Sequence, residues 1–126
     1  MKPHVVPAVA AGGAVGSLAR YSVSSAFPHP PGEFPWSTLL VNVTGCLLIG
    51  VLMAVLATRP DPHPLLRPFL GIGVLGGYTT FSTYAVEVVD TAQTGAVLAL
   101  LYATATILLA LSATAAGHRV TRTLLQ

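Results

Sequence analysis

Residues 71–87 read GIGVLGGYTTFSTYAVE, and the conflict inside this stretch decides the fold. It lies within an apolar span, Phe69 to about Val89, long enough to cross a bilayer. Its middle is badly suited to a lipid-facing helix. Gly76 and Gly77 carry no side chain, while Thr79, Thr80 and Thr83 are β-branched and carry hydroxyls. Tyr78, Phe81 and Tyr84 beside them are poor helix formers. At bilayer depth a helix breaks only where the freed backbone groups face protein, water or an ion. The expectation is a membrane helix that opens around Gly76 to Thr79.

Composition puts the rest of the chain in the same setting. Of 126 residues, 53% are hydrophobic and only 8% charged, and the mean hydropathy is +0.74. Soluble domains carry about 25% charged residues. Four apolar spans follow one another, at about residues 5–27, 36–58, 69–89 and 95–116. Each is close to the roughly 20 residues that cross a hydrocarbon core about 30 Å thick. The expected architecture is all-α: a single transmembrane domain over residues 1–126, four helices, the third broken near its middle, and both termini on one side. PHPPGEFP (28–35) and RPDPHPLLRP (59–68) cannot continue a helix and form the first two loops. A short turn at Asp90 to Thr94 is the third, and a tail from Gly117 holds His118, Arg119 and Arg122.

Within the spans, Gly12 and Gly16, and Gly13 and Ser17, form small-xxx-small pairs that favour close helix packing in lipid. Trp36 opens the second span at headgroup level. Thr38, Asn42, Cys46 and Gly50 recur every four residues and share one face. Cys46 is the single cysteine, so no internal disulfide forms. Asn42 can serve as a bond between helices. Arg20 and Glu87 lie near span ends and can reach the interface. On the fourth span Tyr102 and Thr106 share a face.

Catalysis finds no constellation. His4, His29, His63 and His118 fall in tails or loops, none at metal-ligand spacing from another. No serine sits in a nucleophile elbow, no glycine-rich loop precedes a basic residue, and no two carboxylates share a helix face. Around the break, carbonyls that lose their donors need hydroxyls such as those of Thr80 and Thr83, a water, or a hard cation that prefers oxygen ligands. Phe81 and Tyr84, three residues apart, turn ring edges the same way, and those edges are electropositive. With the amide of Asn42 and the hydroxyls of Tyr102 and Thr106, the spans hold many donors and almost no fixed charge. That combination suits a small anion that is stripped of water and then released.

GGYTTFSTY followed by Glu87, the earlier LLVNVTGCLLIG, and GGAVGSLARY in the first span resemble the small bacterial fluoride channels called Fluc or CrcB. The likeness covers essentially the whole chain in the same four-span order. It implies a multi-pass protein of the bacterial cell membrane that exports fluoride passively from the cytoplasm and so relieves its toxicity. It implies an antiparallel dimer with two pores and a structural, untransported sodium ion at the dimer centre. By that resemblance the backbone carbonyls of Gly76 and Thr79 hold sodium, and Asn42 and Phe81 are pore residues. Tyr84 stands where the family more often has a second phenylalanine, and Tyr102 and Thr106 match a hydroxyl track on the fourth helix. Arg20 and Glu87 match family positions whose roles stay open, as do those of Thr80 and Thr83.

Two other readings compete. A small four-helix drug/proton transporter needs a carboxylate deep in a span, whereas Glu33 is in a loop and Glu87 near a span end. A non-transporting structural subunit would use Asn42 and the glycines for packing alone. Charge also bears on assembly. Lys2, Arg59, Arg67, Arg119 and Arg122 share one side against Arg20 on the other, so both termini favour the cytoplasm. A bias of five to one opposes equal insertion both ways round. It points to an antiparallel dimer with a paralogous chain, with a second copy as the alternative.

Overall fold

The computed structural model describes residues 3–126; Lys2, counted above among the cationic residues of one side, lies outside them. The described residues are helical throughout apart from short connections. Helix α1 spans Val5–Ala26 and α2 spans Trp36–Thr58. A π-wound segment, Arg67–Leu75, runs into the short helical turn α3, Gly76–Tyr78. After the break come α4, Ser82–Thr94, and α5, Ala96–Leu124. Trp36–Thr58 and Ala96–Leu124 are each long and apolar enough to cross a membrane, with mean hydropathies of 2.5 and 2.2. The 22 residues of α1 reach about 33 Å at 1.5 Å per residue.

Packing is set by glycines. On α1, Gly12 lies against the backbone of Phe69, Gly73 and Val74, and Gly16 against Val74 and Tyr78. A Cβ at either position would collide with main chain, which is why the small-xxx-small pair stands there. Contact positions rise together along both elements, so α1 and the π-wound segment run parallel. The same holds for α2 and α5. Leu39 clusters with Tyr102 at one end, while Gly50 packs against Thr114 and His118 at the other. The π-wound segment, α3 and α4 must therefore carry the chain back across, which gives the alternating four-crossing order.

Burial is inverted relative to a soluble domain. Among the buried side chains are Ser37, Thr38, Asn42, Thr80, Thr91 and Thr106, whereas Leu18, Val97, Leu100 and Leu111 are each about two-thirds exposed. Hydroxyls and amides face inward, where helices bond to one another, and aliphatic side chains face out.

Three boundaries differ from expectation. The break falls at residues 79–81, after Tyr78, and Thr79 turns to extended backbone (φ −75°, ψ 158°). Gly76 and Gly77 do not open the helix. Gly77 instead lets the chain lie against Gly13, and the residues before it are wound with an extra residue per turn. The expected turn at Asp90 to Thr94 is helical, because Thr91 bonds back to the Glu87 and Val88 carbonyls and only Gly95 is extended. The tail beyond Gly117 is helical to Leu124, since Gly117 packs on the Leu47 backbone and nothing after it breaks the ladder. In the first loop Gly32 has φ +85°, a left-handed conformation that glycine adopts freely, and it sits beside Thr94.

Candidate functional site

The break is held by one side chain. The Asn42 amide on α2 donates to the Thr80 carbonyl at 2.9 Å, and its oxygen accepts the Thr80 N–H at 2.8 Å. A primary amide can pair with a peptide group in this two-point fashion because it carries a donor and an acceptor side by side. Asn42 and Thr80 are each 8% exposed, so the pairing replaces the helix ladder where no water could. One N–H of the Asn42 amide remains. The Thr80 hydroxyl accepts the Thr83 N–H at 3.2 Å and donates to the Thr83 hydroxyl at 3.1 Å, serving the first turn of α4.

These two bonds have a consequence for the main chain. In an α-helix the Gly76 carbonyl would accept from Thr80 N–H, and the Thr79 carbonyl from Thr83 N–H. Both donors are committed elsewhere, to Asn42 and to the Thr80 hydroxyl. The carbonyls of Gly76 and Thr79 are therefore two whose helical donors are diverted to other partners. Gly76 and Thr79 line a shallow groove with Gly45, Cys46 and Leu75. Gly45 is there of necessity, since a Cβ would meet the Thr79 methyl. Neutral oxygen donors that have lost their helical partners fit a hard cation. Among the described residues no cluster of three or more His, Cys, Asp or Glu side chains could hold a metal.

A second groove adjoins the first through Cys46 and has a volume of about 330 Å³. It brings together Asn42, Thr80, Phe81, Tyr84 and Thr106. Phe81 is 79% exposed, and its ring centroid lies 5.6 Å from that of Tyr84 at 49°. The Tyr84 hydroxyl is turned away and donates to the Ala103 carbonyl at 3.0 Å. Its ring, not its polar end, faces the groove. The Thr106 hydroxyl is buried and has no hydrogen-bond partner. An unpaired buried hydroxyl costs about 1–3 kcal/mol.

Tyr102 is not brought to this groove. It is fully buried, and its hydroxyl donates to Glu87 Oε2 at 2.7 Å. Thr38 donates to Glu87 Oε1 at 2.8 Å, and His29 Nε2 approaches the same oxygen at 3.4 Å. Glu87 therefore does not reach outward; α2, α5 and the first loop converge on it. Arg20 lines a third cavity, of about 370 Å³, with Ser17, Ser24, Thr38, Thr80 and Thr83. Thr80 belongs to both cavities, so a cation stands on one side of the clamp and the aromatic groove on the other. Sequence reasoning missed His29, which carries no motif, and the partners of Thr38 and Glu87. The four-residue recurrence of Thr38 and Asn42 was the available signal.

Comparison with known proteins places the chain in one family and beside relatives named as fluoride channels. The family described as CrcB-like protein, Camphor Resistance (CrcB), matches residues 7–118. The chain is 47% identical over 123 residues to the fluoride-specific ion channel FluC 2 of Nocardia farcinica, covering 97% of this chain and 88% of that one. It is 53% identical over 124 residues to the fluoride-specific ion channel FluC 2 of Thermobifida fusca, covering 96% and 90%. With the fluoride-specific ion channel FluC 1 of Nitrobacter hamburgensis the identity is 42% over 126 residues, covering 98% and 100%. These names describe ion channels, not enzymes.

Proposed function

We propose a mechanism that starts from one fact: this chain belongs to the CrcB family, whose matched relatives carry the name fluoride-specific ion channel. The chain is a membrane fluoride channel that lets the anion leave the cytoplasm passively. The observation that carries this reading is the groove at the break, where an orphan hydroxyl, an amide N–H and two aromatic rings meet with no fixed charge among them. Fluoride is small and holds its water tightly, so it enters only where donors replace that water. The free N–H of Asn42 and the Thr106 hydroxyl are such donors, and the ring edges of Phe81 and Tyr84 add weak ones. None binds strongly enough to trap the ion, and release stays fast. Arg20, beyond Thr80, supplies a positive potential without contacting the groove. Tyr102 acts at one remove, by holding Glu87 and the wall behind Tyr84.

The groove has one wall. It is open where Phe81 stands 79% exposed, which supports closure by a second chain, and an antiparallel dimer supplies that chain. The carbonyls of Gly76 and Thr79 from two chains would then provide four oxygens for a structural sodium ion, whose chemistry is to neutralise the diverted carbonyls and tie the chains together. Among residues on the cytoplasmic side, Arg59, Arg67, Arg119 and Arg122 outnumber Arg20 opposite. Both termini accordingly face the cytoplasm, and the partner is a paralogous chain of opposite bias, or a second copy if insertion is dual. A C-terminal reporter active only in the cytoplasm should signal strongly on the chain expressed alone, and one active only outside should not. Equal signals from both would establish dual insertion and remove the case for a paralogue.

Thr106→Val tests the pore assignment. It removes the orphan hydroxyl at nearly constant shape, so stability should hold or rise while fluoride efflux from liposomes falls about tenfold or more, the cost of one lost donor of about 1.4 kcal/mol or above. Unchanged efflux would take Thr106 out of the pathway.

A further inference from the structure

Further along α2 and α5, beyond the break, lies an open groove that adjoins the two grooves at the break through Leu111 and Ile49. Its volume is about 390 Å³, and Ile49, Met53, Leu111, Thr114, His118 and Arg119 line it. The backbone contact of Gly50 with Thr114 and His118 closes its floor. The walls change character with depth. Starting from Ala96, about 20 helical residues cross the hydrocarbon, which brings α5 to headgroup level just before His118 and Arg119. Ile49 and Met53 sit about two and a half and one and a half turns before the end of α2 at Thr58, within the hydrocarbon. The Thr114 hydroxyl is already satisfied by the Ala110 carbonyl. Among the described residues no carboxylate lines the cavity. It is apolar in the acyl region and cationic at the phosphate level.

We propose that this cavity binds an anionic phospholipid, its phosphate on Arg119 and His118 and one acyl chain along Ile49, Met53 and Leu111. Arg119 offers the planar fork of donors that matches phosphate oxygens, and the imidazole of His118, one residue earlier, adds a further N–H. The proposal rests on the reading that α5 crosses the bilayer and brings this end to its cytoplasmic face, where basic residues meet anionic headgroups. It does not depend on what the groove at the break conducts. The lipid would brace the ends of α2 and α5, the two helices that flank Asn42 and Thr106.

Native mass spectrometry of the full chain in detergent tests this without measuring fluoride. Titrated in parallel, phosphatidylglycerol should be retained about tenfold more tightly than phosphatidylcholine, the effect of one or two cationic contacts at the headgroup. Changing His118→Gln and Arg119→Gln together should bring the two lipids level. Arg122→Gln, one turn further and outside the cavity, should leave the preference intact. Ala115→Phe, which fills the cavity and keeps every charge, should lower retention of both lipids and covers the case in which the double variant does not fold. Equal retention of the two lipids by the unaltered chain would overturn the proposal, as would an equal loss in Arg122→Gln. Displacement of phosphatidylglycerol by millimolar inorganic phosphate would make it a free-anion site instead. Lipid adducts on single chains but none on dimers would assign the cavity to the partner chain.

Discussion

Replacing Asn42 by Leu is expected to reduce fluoride efflux to the level of protein-free liposomes and to destabilise the protein at the same time. Leucine has the same branched outline, though bulkier, but can neither donate to the Thr80 carbonyl nor accept its N–H. Both backbone groups would be left buried without partners, at about 1–3 kcal/mol each, so the loss is roughly 2–6 kcal/mol. The break would then re-form as helix or close by shifting α4, and either change moves Phe81 off the groove. Asn42→Asp separates the two halves of the clamp. A carboxylate still accepts the Thr80 N–H, but its second oxygen faces the Thr80 carbonyl and repels both that oxygen and any anion. Efflux should be lost in Asn42→Asp with the larger helical content retained by circular dichroism. If Asn42→Leu conducts normally, the clamp is neither structural nor part of the pathway.

If sodium bridges two chains as proposed, its removal is the second large effect expected. The carbonyls of Gly76 and Thr79 have lost their helical donors to Asn42 and to Thr80, and main-chain oxygens survive any side-chain substitution. The test must therefore be ionic. Dialysis into a buffer whose only cation is a large organic ammonium should abolish fluoride efflux and, independently, convert dimers to single chains on size-exclusion chromatography. Readdition of sodium should restore both. In the proposed dimer, two interface carbonyls per chain left without partners would cost several kcal/mol, enough to dissociate it. An intact, active dimer after verified sodium removal would exclude the site.

Much of this fold was legible in the residues because hydropathy is a local signal. Four runs of about 20 apolar residues, two of them ended by proline loops, specify crossings whatever they pack against. The break was legible too, because glycine, threonine and aromatic residues at bilayer depth are in conflict with a regular helix. Its place was not. Gly76 and Gly77 could serve a break or a close approach, and only the backbone of Gly13 lying against Gly77 decides for the approach. The π-wound segment ahead of it left no mark in composition. The site divides the same way. Asn42 stands out as an amide in an apolar span, and its face could be read from spacing alone. That its partner is the main chain of Thr80, 38 residues away, could not. Glu87 shows the limit most clearly. Its place near a span end suggests a path to water, yet Thr38, Tyr102 and His29 enclose it from three elements. Helices that converge on one carboxylate from distant parts of the chain leave no periodicity to find.

The central claim is that this chain carries fluoride through the groove at its broken helix. It is tested most directly by loading liposomes with potassium fluoride or potassium chloride, reconstituting the purified protein, and following each anion with an electrode after valinomycin frees the potassium. Fluoride should leave far faster than from protein-free liposomes, from the chain alone or once a paralogous partner is co-reconstituted, while chloride stays inside. Fluoride retained under both conditions, or chloride released as fast as fluoride, would contradict the account.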